Sequence, residues 1–203
     1  MTSVETTYFN EQKVYLTVLN HEEFEKISQP LITSVHCFPI QDTSILFTKN
    51  PRWLDIIGGH VEPGESIYDC LYRESFEEAS ITLKTAHIIG AIQIDNRDNS
   101  IALEKGYPLI GFQVFFMTDN FHMNEFKPTH ECTDRVFISQ DNIKTSHHHW
   151  LNSHEQLCSI DFEQHLINQS LKIKKSHPKI KALWKCVADW QNAIILLIFC
   201  YDS

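Results

Sequence analysis

The chain has 203 residues, and its 42% hydrophobic and 21% charged content is that of a globular protein with a core of ordinary size. Its formal net charge is −9 at pH 7, so its overall field repels nucleic acid and other polyanions rather than gathering them. A nucleic-acid partner is therefore not expected, and any bound phosphate needs local cations.

The cysteines and the first residues indicate a reducing compartment. Six cysteines occur without a CxxC pair, and the residues before Tyr8 lack the basic and apolar character of a signal peptide. We therefore expect a cytoplasmic protein with no membrane partner. The longest apolar run, residues 193–201, is far shorter than the roughly 20 residues that span a bilayer. It is interpreted as a buried terminal segment or as the contact of a homodimer.

The first predicted elements are strands and a short helix. β-Branched and aromatic residues predict a strand over residues 14–19, and a short helix follows over residues 21–27. Two further strands, over residues 31–40 and 44–48, are joined by a turn at residues 41–43.

The next segment contains a loop and the best-defined helix of the sequence. Residues 50–64 are rich in glycine and proline and are assigned to a loop. Ser66 is a predicted N-cap with Asp69 as its capping-box partner, and the helix is expected over residues 67–79.

The second half of the chain predicts three strands and then helix. The strands are expected over residues 87–95, 109–118 and 135–139. Apolar residues at helical spacing after Pro178 indicate a helix in the last fifty residues. Strands interleaved with helices predict an α/β fold with a mixed sheet covered on both faces.

No repeat or linker divides the sequence, so residues 1–203 are expected to form one domain. An N-terminal strand and helix extension occupies about residues 1–30, and a C-terminal helical segment about residues 154–203. Histidines 147–149 are assigned to a solvated loop, because consecutive side chains rarely converge on one metal ion. The lysines between residues 172 and 185 are assigned to a solubilising helix surface.

The helix over residues 67–79 has one face that changes from apolar to acidic. On a helical wheel this face holds Ile67, Leu71, Glu74 and Glu78, with Glu77 at its edge. Arg73 precedes Glu77 by four residues, so the two side chains can pair. Carboxylates directed toward a cleft are costly unless they are neutralised, and one arginine cannot neutralise three. Oxygen ligands without histidine favour Mg²⁺ or Mn²⁺ over Zn²⁺. The alternative is a solvated acidic helix face, which is the commoner situation.

The segment from residue 59 to residue 81 resembles the Nudix box, Gx5Ex7REUxEExGU, in which U is an aliphatic residue. Ser75 departs from the pattern at an aliphatic position, and Ser80 replaces a glycine after the helix. Ile57 stands where a proline usually precedes the two glycines. The positions that match the pattern are Gly59, Glu65, Arg73, Glu74, Glu77, Glu78 and Ile81.

The resemblance implies an α/β/α sandwich and a set of metal ligands. Glu74 and Glu78 would bind the metal directly, with Glu77 and the carbonyl of Gly58 as further ligands. The implied cofactor is Mg²⁺ or Mn²⁺.

The resemblance also implies supporting and catalytic roles for other residues. Arg73 would orient the glutamates, while Glu65 and Gly59 would have structural roles. Glu131 is the candidate for a further carboxylate from a late loop. Whether Glu74, Glu77 or Glu131 removes a proton from water is left open, since geometry decides it.

These features predict a metal-dependent hydrolase that cleaves a pyrophosphate bond in a nucleoside diphosphate linked to another group, or in a related small diphosphate. The partner would be a small, nucleotide-like phosphorylated substrate, whose specificity is expected to come from residues 95–107 and 119–133. The alternative is a non-catalytic Nudix-fold module that binds a ligand for regulation, because fold and activity are separable.

Overall fold

The computed structural model describes residues 4–9, 11–128, 132–159 and 162. The chain divides into two units, Met1–Asp161 and Phe162–Ser203, and every element named below belongs to the first. In chain order these elements are β1 (Val4–Phe9), β2 (Gln12–Leu19), α1 (His21–Phe24), a 3-10 helix (Gln29–Leu31), β3 (Ile32–Gln41), β4 (Ser44–Lys49), β5 (Leu54–Asp55), β6 (Ile57–His60), α2 (Ile67–Ala79), β7 (Ile81–Asp95), α3 (Ser100–Glu104), β8 (Ile110–Met123), β9 (Asp134–Ser139), a second 3-10 helix (Gln140–Asn142), α4 (Ile143–Ser146) and α5 (152–159).

Nine strands of the described residues form one mixed sheet. Its order is β1-β2-β7-β8-β3-β4-β5, with β6 added to β3 and β9 added to β4. Strands β3 and β8 run parallel, whereas the other pairs are antiparallel. Helix α2 packs on this sheet through a buried cluster that includes Val35, Leu46, Leu71, Val114 and Phe116. The predicted α/β fold with a mixed sheet is confirmed.

Local signals placed the helix α2 and several strands correctly. Helix α2 has the predicted bounds, and the backbone N–H of Asp69 donates to the Ser66 hydroxyl while the Ser66 N–H donates to the Asp69 carboxylate. The capping box is therefore present as predicted. Strands β2, β3, β4 and β9 lie within two residues of their predicted bounds, whereas α1 is shorter than predicted.

The assignment of residues 50–64 to a loop was wrong, because this segment contains β5 and β6. Strand β6 pairs with β3 and places Gly58 opposite His36. Gly58 has a φ of +150°, and a Cβ atom there would lie 2.1 Å from the carbonyl oxygen of Val35. The glycine that looks like a turn residue in the sequence instead lets two strands approach closely.

Strand β1 and helix α3 were not predicted, and β7 and β8 are longer than predicted. Strand β7 starts at Ile81, directly after α2, and pairs with β8 as far as Met123. Ile81 and Leu83 are buried, whereas Lys84 is exposed. This alternation of buried and exposed residues is too short to predict a strand immediately after a helix. The start of β7 depends instead on its pairing with β8.

Helix α5 is the described part of the predicted C-terminal helical segment. The backbone N–H groups of Asn152 and Ser153 donate to the Glu5 carboxylate at 3.0 and 2.9 Å, which caps this helix from β1. The lysines of residues 172–185 and the apolar run 193–201 lie outside the described residues. Within the described ranges, no helix has the length and apolar character needed to cross a bilayer.

We predict that Ser75→Ala stabilises the protein. Ser75 is fully buried on the core face of α2, and its hydroxyl has no hydrogen-bond partner in the described part of the chain. Removing a buried, unsatisfied hydroxyl should raise the free energy of unfolding by about 1 kcal/mol. Urea unfolding measures this change, and Ser146→Ala, at an exposed position, is the control. A destabilised Ser75→Ala protein would contradict the prediction.

Candidate active site on helix α2

The guanidinium of Arg73 is the centre of the acidic cluster. Its Nε and Nη2 atoms donate to the two oxygens of Glu65, both at 2.9 Å. Its Nη1 atom donates to Glu74 at 2.7 Å and to Glu77 at 3.2 Å, and Nη2 also donates to the carbonyl of His60 at 3.1 Å. Arg73 therefore links the loop before α2, strand β6 and the helix itself.

Glu65 is fixed by this arginine and by its own turn. The backbone N–H of Glu62 donates to the Glu65 carboxylate at 3.0 Å, in addition to the two-point contact with Arg73. The hydrogen bonds from Arg73 lower the pKa of Glu65 to about 2. Glu65 is thus ionised at neutral pH and holds the guanidinium in one orientation.

Glu78 occupies a different environment from the other carboxylates. Its Oε2 atom accepts a hydrogen bond from the backbone N–H of Gly58 at 2.9 Å. Burial raises the pKa of Glu78 to about 8, and the charges of Glu74, Asp55 and Glu77 act in the same direction. A cation beside this carboxylate would favour its ionised form.

Gly59 lies directly against the carboxylate of Glu74. A Cβ atom at Gly59 would be 2.2 Å from Oε1 and 2.4 Å from Cδ of that side chain. The absence of a side chain at Gly59 therefore creates the space in which the Glu74 carboxylate lies. This contact gives the first glycine of the box a direct steric role.

The donor set is composed of oxygen atoms and carries more negative charge than Arg73 can balance. Glu74 uses Oε1 and Glu78 uses Oε2 in the contacts above, and their other oxygens have no hydrogen bond in the described part of the chain. Among all the residues that the structure describes, no three or more His, Cys, Asp or Glu side chains are already arranged to hold a metal ion. The chemistry of the free oxygens nevertheless suits a hard divalent cation.

The end of α2 is fixed by contacts from distant segments. Ser80 adopts the left-handed conformation with a φ of +49°, as the usual glycine would, and its hydroxyl accepts from the backbone N–H of Lys127 at 3.2 Å. The guanidinium of Arg135 donates to the carbonyls of Ala79, Ser80 and Asn124. These bonds fix the helix terminus next to Glu77 and Glu78 although a side chain replaces the glycine.

A cavity of about 420 Å³ adjoins the acidic cluster at the backbone of Gly58 and Gly59. Its floor is formed by strands β3, β6 and β8, and its wall comes from the predicted specificity segment at residues 95–107 and from Pro108. In contrast, residues 119–123 of the second predicted segment belong to strand β8. The cavity has the size of an ordinary small-molecule site.

Asp55 is a further carboxylate near Glu78 that was not among the predicted site residues. It receives hydrogen bonds from the side chains of Asn50 at 2.7 Å and Trp53 at 3.0 Å, and its charge contributes to the raised pKa of Glu78. The available signal was an acidic residue three positions before Gly58. Glu131 lies outside the described residues, so its predicted role stays a prediction.

The three consecutive histidines have separate environments. His147 is buried against Phe47 and Trp150, whereas His148 is exposed and stacks on Trp53 with a ring distance of 4.8 Å. His147 and His148 therefore contact different aromatic side chains.

Comparison with known proteins identifies the family to which the chain belongs. Residues 30–158 match the profile of the NUDIX domain. The chain is 29% identical over 85 residues to the NAD-capped RNA hydrolase NudC of Pseudomonas syringae pv. tomato, a match that covers 40% of this chain and 29% of that protein. The chain thus spans less than a third of the length of this curated relative.

Two solved structures resemble the fold. A pyrophosphohydrolase of Bacillus subtilis superposes with a TM-score of 0.56 and 14% identity, covering 82% of this chain and 97% of that one. A NUDIX hydrolase from Nitrosomonas europaea gives a TM-score of 0.50 and 20% identity, covering 63% and 86% of the two chains. At these identities the similarity concerns the fold.

We predict that Glu65→Gln lowers stability and alters its pH dependence. Because the folded-state pKa of Glu65 is about 2 and its ordinary value is 4.5, its contribution is complete above pH 4.5 and is lost as the pH falls to about 2. The variant should lose about 1–3 kcal/mol at pH 7 and show a flatter decline below pH 4.5. Glu62→Gln, at an exposed side chain, is the control. Equal acid profiles for Glu65→Gln and the native protein would contradict this role.

Proposed function

The chain belongs to the Nudix family, and we propose that it is a metal-dependent hydrolase of a pyrophosphate bond. Its substrate would be a nucleoside diphosphate linked to another group, or a related small diphosphate. The observation that carries this proposal is that Gly58 and Gly59, which lie against the carboxylates of Glu78 and Glu74, also line a cavity of about 420 Å³. A molecule bound in this cavity would lie against the two glycines that contact the carboxylates.

The proposed ligands of Mg²⁺ or Mn²⁺ are the carboxylates of Glu74 and Glu78, with Glu77 and the Gly58 carbonyl as additional donors. Free oxygens on Glu74 and Glu78 and the unbalanced negative charge support this assignment. When bound, the cation would screen the diphosphate charge and lower the pKa of a water molecule.

The residues of the chain itself would position the reacting groups. Glu65 holds Arg73, and Arg73 in turn orients one oxygen each of Glu74 and Glu77. The backbone N–H of Gly58 fixes Glu78. Glu74, Glu77 or Glu131 would accept the proton of the attacking water, and Arg73, as a permanent cation, cannot do so.

The relative from Pseudomonas syringae is named an NAD-capped RNA hydrolase, and hydrolysis of a pyrophosphate bond agrees with that name. Since the match covers 29% of that protein, its substrate is not transferred to this chain. The alternative function is a non-catalytic module that binds a nucleotide or sugar ligand for regulation. Metal binding without turnover of any diphosphate would favour that alternative.

We predict metal-dependent hydrolysis that requires Glu78. Chelator-stripped protein should release product from a panel of nucleotide sugars, dinucleotide polyphosphates and nucleoside triphosphates only after Mg²⁺ or Mn²⁺ is added. Glu78→Gln preserves the side-chain volume and removes the ligand charge, so kcat should fall at least about a hundredfold.

The matched control is Glu62→Gln, because Glu62 is an exposed glutamate outside the acidic cluster. Native-like rates in Glu78→Gln would exclude the role of Glu78. Absence of both metal binding and turnover in the native protein would reject the proposed function.

We also predict that Gly59→Ala disables the site without unfolding the protein. The added Cβ atom would meet the flexible end of Glu74 at 2.2 Å, so the carboxylate must move while the backbone is retained. Mn²⁺ affinity, measured by calorimetry, should fall about tenfold or more. In a Glu74→Gln background the same substitution should have little further effect, because the two changes act on one group. Additive losses would contradict this explanation.

A further inference from the structure

The cavity beside the acidic cluster contains two polar side chains without a hydrogen bond to the described protein, Gln113 and Lys105. The other polar side chains on its wall have partners: the hydroxyl of Tyr107 contacts His60 at 3.2 Å, and the amide of Asn96 donates to the Pro108 carbonyl at 2.9 Å. In the described part of the chain, the carboxamide of Gln113 and the ammonium group of Lys105 are thus wholly uncommitted. The ring of His36 also lines the cavity, and its Nε2 contacts Ser34 while its buried Nδ1 has no partner among these residues.

Gln113 lies in the sheet that forms the cavity floor. It pairs with Ser34 of β3, and Gly111, two residues earlier, faces the same side of the sheet. Gly111 provides no side chain next to Gln113 along the strand, and the residue of β7 directly opposite Gln113 is the apolar Ile92. A half-buried carboxamide in such a place favours a ligand that supplies its missing hydrogen bonds.

Lys105 is held on the cavity wall by the end of α3. The N–H of Gly106 bonds to the carbonyl of Leu103, and the N–H of Tyr107 bonds to the carbonyl of Ala102, both at 3.0 Å. These two bonds, with Gly106 at a φ of +86°, form a Schellman motif. The backbone that carries Lys105 and Tyr107 is therefore fixed even though α3 is short.

The shape and charge of the cavity indicate a planar group attached to an anion. Apolar side chains of the lining suit the faces of a flat ring, and polar side chains such as Thr33, Asn96 and Tyr107 lie among them. Among the lining residues that the structure describes, Lys105 is the one permanent cation, which matters in a chain of net charge −9. The apolar side chains are Phe9, Ile94, Ile101, Ala102 and Pro108.

We propose that Gln113 and Lys105 determine specificity by binding the base and the phosphate of a nucleoside monophosphate group. A carboxamide presents a donor and an acceptor side by side, and this pair matches the adjacent amino group and ring nitrogen of adenine. Lys105 binds the phosphate as a point charge. The inference rests on the proposed function, since it names the part of the substrate that enters this cavity.

The test is equilibrium binding with metal removed by EDTA, which separates recognition from hydrolysis. Calorimetry compares AMP, adenosine and purine riboside 5′-monophosphate, which lacks the 6-amino donor. The native protein should bind AMP about tenfold more tightly than the purine riboside analogue, and Gln113→Leu should abolish this difference. Gln113→Glu keeps the side-chain size and provides a second variant should Gln113→Leu fail to fold.

The role of Lys105 is tested by comparing AMP with adenosine, which lacks the phosphate. Lys105→Met should weaken AMP about tenfold and leave adenosine unchanged, and Lys105→Arg should retain most of the AMP affinity. Lys84→Met removes an exposed lysine of β7 and is the matched control.

Two results would overturn the inference: AMP fails to bind, or it binds with equal affinity to the native protein and the variants. Hydrolysis in the Glu78→Gln experiment is measured separately, so either proposal can fail while the other stands.

Discussion

The hydrogen bonds of Arg73 connect the segments on which the site depends. The guanidinium faces Glu65 on one side, Glu74 and Glu77 on another, and the His60 carbonyl of β6. A planar group with five donors can satisfy several acceptors at fixed angles, which an ammonium group cannot do. The loop, the strand and the helix are consequently held in one arrangement by a single side chain.

This arrangement includes carboxylates with unlike environments. Glu65 is stabilised in its charged form by Arg73, whereas burial raises the pKa of Glu78 to about 8. Glu65 therefore supports the structure as an ion pair, whereas the surroundings of Glu78 favour its neutral form. The divalent cation proposed above would favour the ionised form of this half-buried glutamate.

The acidic cluster and the cavity make separate contributions to the proposed activity. The cluster is built from α2 and from two glycines of β6, where the lack of side chains lets Glu74 and strand β3 approach. The cavity is walled by residues that follow β7, including Lys105, and is floored by Gln113. Reaction chemistry and ligand choice can thus vary independently, because they depend on different segments of the chain.

The sequence by itself determined the features that depend on neighbouring residues. The bounds of α2 followed from helical spacing and from the Ser66 capping box, and the family followed from the spacing of glycines and charges around it. Strands β3 and β4 followed from β-branched runs and their turn. In each case the stabilising contacts lie within a few residues along the chain, so the pattern of residue types is sufficient.

Only the tertiary structure decided the features that depend on distant segments. The pairing of β6 with β3, the contacts of Arg135 with the end of α2 and the burial of Glu78 join residues far apart in sequence. The placement of Gln113 and Lys105 around one cavity is of the same kind. No local pattern encodes these contacts, because strand pairing and burial are set by which segments the folded chain brings together.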